Sequence, residues 1–275
     1  MKKNISTNAL RALFYEAITG PKPGLVDPID NSSHPDMDIY MFIDSSISLQ
    51  NYLQEAEKVG HNFQDSDLTK MFTKLREKGL IAEKEMAQAT NGINTHKGAI
   101  FALGICTCAE SYVKQNGGNV FDIIRQMTHG LVEHDFKNLN DNQKLTAGQK
   151  QFLKYGLGGA RQEAEAGYPI VEDVALPFLK NAKGDKRTRI LDTFMKIASL
   201  TADSTLIKRA KTTNVIEEVQ RDANHYLELG GFANEDARIF LNDLNKKFAQ
   251  HKWSLGGCAD LLIITIFFGL ESDYL

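Results

Sequence analysis

The sequence predicts an all-α protein. Alternating strand patterns are nearly absent, apolar residues recur at helical spacing along most of the chain, and glycines or prolines interrupt these runs at helix-length intervals. Leu10, Leu13, Phe14 and Ala17 follow i, i+3, i+4, i+7, and Thr19-Gly20-Pro21 stops that helix. Ile39, Phe42, Ile43, Ile47 and Gln50 mark a second helix, with only Gln50 off the pattern. Further helices are expected over 67–78, 81–89, 97–115, 119–133, 146–166, 170–181, 187–200, 215–229, 234–250 and 257–271. Gly79, Gly117-Gly118 and Gly230-Gly231 are expected to end helices, and Asp67, Thr146 and Asn234 to cap them.

The runs 97–108 and 257–270 are apolar nearly all round, a property of helices with neighbours on every side. A single domain over residues 1–275 is therefore expected, with roughly ten to twelve helices around a buried central one, and not a simple four-helix bundle. No linker, low-complexity tract or internal repeat divides the chain.

Composition narrows the function. At 42% apolar, 24% charged and a net charge of -3, the chain is an ordinary globular sequence with no field to attract nucleic acid. Its most apolar segment, Ala259 to Leu270, is too short to span a bilayer, and no signal-peptide stretch follows Lys2-Lys3. The three cysteines, Cys106, Cys108 and Cys258, form neither a disulfide framework nor a CxxC pair, so a reduced, cytoplasmic protein is expected.

Four polar, glycine-bearing stretches are not explained by helical periodicity. The first runs Pro21-Lys22-Pro23-Gly24-Leu25-Val26-Asp27 and on to Asn31, His34, Asp36 and Asp38. Its two prolines stiffen an extended loop that presents Lys22. Asp36 on its own fits a helix-capping carboxylate equally well. The second, Asn94-Thr95-His96-Lys97-Gly98, opens directly into an oily helix. Free N–H groups and the helix dipole there favour an anion, although the spacing is not that of a Walker loop. The third, Gly158 to Pro169, carries Arg161, Glu163 and Glu165; Arg161 and Glu165 are also spaced for a surface ion pair. The fourth, Ser254 to Asp260, places Gly256 and Gly257 before the last apolar helix, where Asp260 is either a ligand or a charge set for the dipole. A weaker fifth stretch, Asp203 to Arg209, looks like a polar loop with two cations. By themselves these stretches describe a helical enzyme that binds phosphate.

Together, and in this order, the four blocks resemble the triphosphoribosyl-dephospho-CoA synthase family: Pro21 to Asp38, Asn94 to Gly98, Gly159-Ala160-Arg161 with Glu163 and Gly167-Tyr168-Pro169, and Gly256-Gly257 with Ala259 to Leu262. The resemblance covers nearly the whole chain. Three departures stand out: Pro28 replaces an arginine common after Leu-Val-Asp, Leu255 and Cys258 replace a proline and a serine, and the Asp203 segment is poorer in Asn, His and Gly.

The resemblance implies that the adenine–ribose bond of ATP is broken and the triphosphoribosyl group passes to the 2′-hydroxyl of 3′-dephospho-CoA. The product would be the prosthetic-group precursor of a citrate lyase or malonate decarboxylase acyl carrier, loaded by a separate holo-acyl-carrier-protein synthase. Such chemistry wants a carboxylate near the ribose, a base for the hydroxyl, a proton for adenine, and cations, expected to include Mg²⁺, for the triphosphate. His34, Asp36, Asp38 and Glu163 are the expected catalytic groups. Lys22, Gly24, Asp27, Asn31, Asn94, His96, Lys97, Arg161, Gly256 and Gly257 are expected to bind substrate, and Asp203 and Asp260 to hold metal.

Two rivals differ in class. His134-Asp135, with His61 or His129, suggests a helical metal-dependent nucleotide phosphohydrolase. A scaffold protein without chemistry would instead spread its polar residues over a surface. His225 and His251 lie on amphipathic helices as solvated side chains, and Trp253 and Tyr168 suit either adenine stacking or a core or rim position.

Overall fold

The computed structural model describes residues 4–136, 145 and 147–275, and among them it contains fifteen α-helices, one π-helical segment and no strand. Two helices organise the rest. α5 (Lys97–Asn116) packs on α1 (Ile5–Ile18), α3 (Gln50–His61), α4 (Thr69–Ala89), α6 (Val120–Met127) and α15 (Gly256–Glu271). α15 in turn packs on α1, α10 (Leu176–Asn181), α11 (Lys186–Ala198) and α12 (Ser204–Ala210). Every α15 residue from Leu261 to Leu270 is buried, as its all-round apolar composition requires. Gly60 lets α3 lie directly against α5, since a Cβ there would fall 2.0 Å from the Cys108 carbonyl oxygen. The three thiols are free and buried.

Several boundaries differ from expectation, each for a physical reason. The runs 67–78 and 81–89 form the single helix α4, with Gly79 inside it; packing on α3 and α5 outweighs glycine's weak helix propensity. Asp67 stands one residue before the cap position, and its Oδ1 accepts from the Thr69 amide. α3 was not anticipated, although Tyr52, Leu53, Ala56 and Gly60 form its buried face. It follows directly on α2 (Ile39–Ser48), where Ser45 and Ser46 are buried and Ile47 is 53% exposed. The Ser45 hydroxyl bonds inward to His96, and that of Ser46 donates to the Phe42 carbonyl of its own helix, so neither is left unpaired against the hydrophobic pattern.

The run 119–133 is divided into α6 and α7 (Leu131–Phe136) at Gly130, which has a positive φ of 74°. Gly156, at φ 70°, likewise separates α8 (Ala147–Tyr155) from α9 (Gly159–Glu165). The proposed cap Thr146 lies outside the described residues. The run 170–181 begins as a π-helical segment, Ile170–Ala175, and becomes α10 beside Pro177, which has no N–H to donate. The Asp203–Arg209 stretch is helix α12 and not a loop. α13 (Val215–Glu228) and α14 (Glu235–His251) complete the chain's second half, with Asn234 capping α14 as expected.

Candidate active site

The first block folds around its own carboxylate. Asp27 is buried; Oδ2 accepts from the Lys22 amide at 2.8 Å, and Oδ1 from the amides of Ile29 and Asp30 at 2.7 and 3.1 Å. That turn directs Lys22 inward, where its fully buried ammonium meets Glu16 Oε1 at 2.9 Å and the Glu16 carbonyl. Glu16 occupies the core-facing stripe of α1 with Ala9, Ala12 and Leu13, so the pair is an ion pair sealed into the core. Gly24, at φ 76°, lies against Phe248 and the Trp253 carbonyl, too close for any side chain.

His34 ties three segments together. Arg209 of α12 donates to its Nδ1 at 2.8 Å, which leaves the proton on Nε2 to reach Ser254 Oγ at 3.0 Å and the Gly24 carbonyl at 3.2 Å. Burial, then the Arg209 charge, lowers the His34 pKa and keeps the ring neutral. With both nitrogens engaged, His34 positions the loop. Asp36 and Asp38 are exposed; Asp38 caps α2 through the Met41 amide at 2.8 Å, and Asn31 donates to the Met37 carbonyl.

The second block supplies a histidine of a different kind. Asn94 accepts from the Lys97 amide and opens α5. His96 is buried, with Nδ1 held by Ser45 Oγ at 2.7 Å, itself 2.7 Å from Thr95 Oγ1. Its Nε2 has no hydrogen-bond partner among the described residues. Burial and the Lys22 charge push its pKa down to about 3, so the imidazole is neutral. Lys97 points away from it, to Glu83.

The third and fourth blocks meet at the start of α15. Asp203 is buried at the N-cap of α12; Oδ1 accepts from the amides of Thr205 and Leu206, and Oδ2 from Cys258 at 2.8 Å, joining the starts of α12 and α15. Asp260 accepts no hydrogen bond from any described residue. Burial, Asp203 and Glu16 all raise its pKa, so its carboxyl holds a proton far above the usual range. Gly98 faces it so closely that a Cβ would lie 1.9 Å from Asp260 Oδ2. Across from it, Glu163 has an unpartnered buried Oε2 and a pKa raised by burial, and the buried Tyr168 hydroxyl is also unpartnered.

Two cavities meet at Asp260 and Thr205, which line both. One has a volume of about 160 Å³ and includes His34, Asn94, His96, Gly98 and Gly256. The other has a volume of about 220 Å³ and includes Glu163, Tyr168, Asp203 and Gly257. Lys97 and Arg161 line neither; they belong to a third cavity between α4 and α5. Lys22, Gly24, Asp27, Asn31, Asp36 and Asp38 stand behind or outside the walls. Glu16, Ser45, Thr205 and Arg209 join the site without having been singled out as members of it. Of these only Glu16 carried a clear signal, a charge on an apolar helical stripe.

The metal and hydrolase expectations fare differently. The oxygens of Asp203 accept from three backbone amides, and among the described residues no three His, Cys, Asp or Glu side chains are placed together to hold a metal. Asp135, the centre of the hydrolase alternative, is held by Arg76 at 2.9 Å and by Arg161 Nε at 2.5 Å. Burial raises its pKa, but the hydrogen bonds from Arg161, His134 and Arg76 outweigh it and hold the group at about 2. Arg161 thus pairs with Asp135 and not Glu165, which accepts from the amides of Gly130 and Val132. Trp253 stacks on His251 at 4.6 Å and stays outside the cavities.

Comparison with known proteins identifies a family. A family model described as ATP:dephospho-CoA triphosphoribosyl transferase matches residues 2–275. A Lactiplantibacillus plantarum protein named probable 2-(5''-triphosphoribosyl)-3'-dephosphocoenzyme-A synthase is 48% identical over 276 residues, 99% of each chain. Protein CitXG of Leuconostoc mesenteroides subsp. cremoris is 46% identical over 266 residues, 94% of this chain and 57% of that one. A Streptococcus equi subsp. zooepidemicus protein with the same name as the first is 33% identical over 289 residues, 99% of this chain and 98% of its own. No solved structure matches. Among the described residues no helix is long and apolar enough to cross a membrane.

Proposed function

The chain belongs to the ATP:dephospho-CoA triphosphoribosyl transferase family, and on that premise we propose how its residues divide the reaction. The C1′–N9 bond of ATP breaks, a bond forms between C1′ and the 2′-oxygen of 3′-dephospho-CoA, and adenine leaves with a proton. The observation that carries the assignment is Asp260, an acid without a partner at the junction of two cavities.

Asp260 holds its proton at rest. As positive charge grows on the ribose, the carboxylate form becomes favourable and the proton passes to the departing adenine. The unpartnered Nε2 of neutral His96, aligned by Ser45, accepts the proton of the attacking hydroxyl. Exchange with water then resets both groups. Glu163 and Tyr168, with their unpartnered oxygens, offer hydrogen bonds to the purine in the second cavity. Asp27, Lys22, His34 and Arg209 hold the loop that closes the first cavity, and Gly256 and Gly257 leave room for substrate beside Asp260. Asp36 and Asp38 then shape the entrance and take no part in proton transfer. Mg²⁺ enters with ATP as part of the substrate.

The same reading makes residues 1–275 one catalytic domain, working in the cytoplasm, where its three thiols stay reduced. Its product goes on to a holo-acyl-carrier-protein synthase serving citrate lyase or a similar carrier. Mass spectrometry of the protein with MgATP and 3′-dephospho-CoA tests the proposal. Free adenine and a dephospho-CoA adduct heavier by one triphosphoribosyl unit are expected; phosphate or pyrophosphate without adenine would refute it.

A further inference from the structure

We propose that the cavity between α4, α5 and α9 binds the pantetheine arm and diphosphate of 3′-dephospho-CoA; the identity of the ligand, though not the presence of the site, rests on the transferase reading above. The cavity has a volume of about 350 Å³, larger than either space at Asp260. Phe72, Leu75, Phe101 and Ile105 make its walls apolar, and Arg76, Lys97 and Arg161 place three cations at its rim. Among the described lining residues two carboxylates, Asp135 and Glu83, stand against those three cations, a balance of one positive charge. Arg161 uses only Nε on Asp135, and its two Nη groups donate to no described residue. Lys97 has a side chain 56% exposed. An apolar pocket with a cationic rim suits a ligand with an uncharged flexible body and an anionic end. Of the two substrates only dephospho-CoA has such a body.

Gly79 adds an independent observation. It lies inside α4, where glycine weakens a helix. Its φ is not positive, and the nearest atoms to a Cβ would be Tyr52 Oη at 3.6 Å, Ile100 Cγ2 at 3.8 Å and Tyr52 Cε2 at 3.9 Å, all ordinary contacts. Neither backbone conformation nor close packing requires glycine there. What the missing side chain leaves is space in this cavity.

The cavity is also placed to deliver the acceptor. Lys97 lines it while the next residue, Gly98, faces Asp260; Arg161 lines it while Gln162 and Glu163 face the second reaction cavity. The first turns of α5 and α9 are thus the partition between the arm's pocket and the reaction centre. A diphosphate held at the Arg76–Lys97–Arg161 rim would leave the acceptor ribose to reach across that partition.

Calorimetric titration of Gly79→Leu and Gly79→Ala, each with 3′-dephospho-CoA, 4′-phosphopantetheine and ATP, tests this without relying on turnover. Gly79→Leu should weaken dephospho-CoA and phosphopantetheine about tenfold or more, the scale of overpacking a filled site, and leave ATP affinity unchanged. Gly79→Ala should raise the thermal midpoint, showing that α4 tolerates a side chain there. Wild-type affinity for dephospho-CoA in Gly79→Leu, equal losses for ATP and dephospho-CoA, or no binding of either pantetheine compound by the wild type would each overturn the proposal. Binding that follows the expected pattern, without any adenine release by the wild type, would uphold the pocket and refute the transferase assignment alone.

Discussion

A single methyl group at Gly98 should disable the reaction centre and leave the fold standing. A Cβ at this position would lie 1.9 Å from Asp260 Oδ2 and 2.7 Å from its Cγ, whereas ordinary contact begins at 3.4 Å. The Asp260 carboxyl would have to retreat by roughly 1.5 Å. Displacing a reacting group by about 1 Å can lower a rate about 100-fold, equivalent to about 2.7 kcal/mol of barrier. The stability effect is smaller, because two contributions oppose each other. Alanine favours the helix by up to about 1 kcal/mol over glycine, while overpacking costs about 1–3 kcal/mol. Gly98→Ala should therefore fold with a net loss of about 2 kcal/mol or less and release adenine about 100-fold more slowly at saturating substrates. Chromatographic assay of adenine and a thermal melt read the two effects separately. A folded Gly98→Ala within about threefold of wild-type kcat would refute the placement of Asp260 at the reacting bond.

Two further substitutions test the ionisable groups of the site. Asp260→Asn removes the transferable proton and should abolish adenine release, yet stabilise the protein near neutral pH. The wild-type carboxyl has a raised folded pKa, so its contribution is fully present below the unfolded value of about 3.9 and is lost as pH rises through the folded value. The gain in thermal midpoint from Asp260→Asn should be largest near pH 8 and vanish near pH 3; a gain independent of pH would contradict the assignment. Lys22→Met leaves Glu16 buried without its partner and should cost about 3–5 kcal/mol in urea denaturation, most of it recovered when Glu16→Gln is added. A loss below about 1 kcal/mol would show that the pair is not held as buried ions.

The parts of the site legible in the sequence were those where a local pattern breaks. Polar residues beside glycines, placed directly before oily helices, marked His96 and Asp260. His96 lines the first of the two cavities and Asp260 lines both, each at the start of one of the two oily helices. Arg209 could not be recognised in the same way. It lies in a short amphipathic segment and matters only because it meets His34, 175 residues away in the chain. Ser45 carries no signal of its own in the sequence; only the fold puts its hydroxyl on His96, 51 residues away.

The sequence by itself determined that the protein is helical, that α5 and α15 are central, and that four polar, glycine-bearing stretches interrupt the helices, because helical periodicity and chain-breaking residues act over a few neighbours. Tertiary structure decided which side chains share a space. It engaged both nitrogens of His34 and left Nε2 of His96 unpartnered, took Asp203 for two helix starts, and turned Lys97 and Arg161 toward a separate cavity. Residues adjacent in sequence, such as Lys97 and Gly98, face different cavities because successive helical positions are rotated by about 100°. The helix behind them then separates the two spaces.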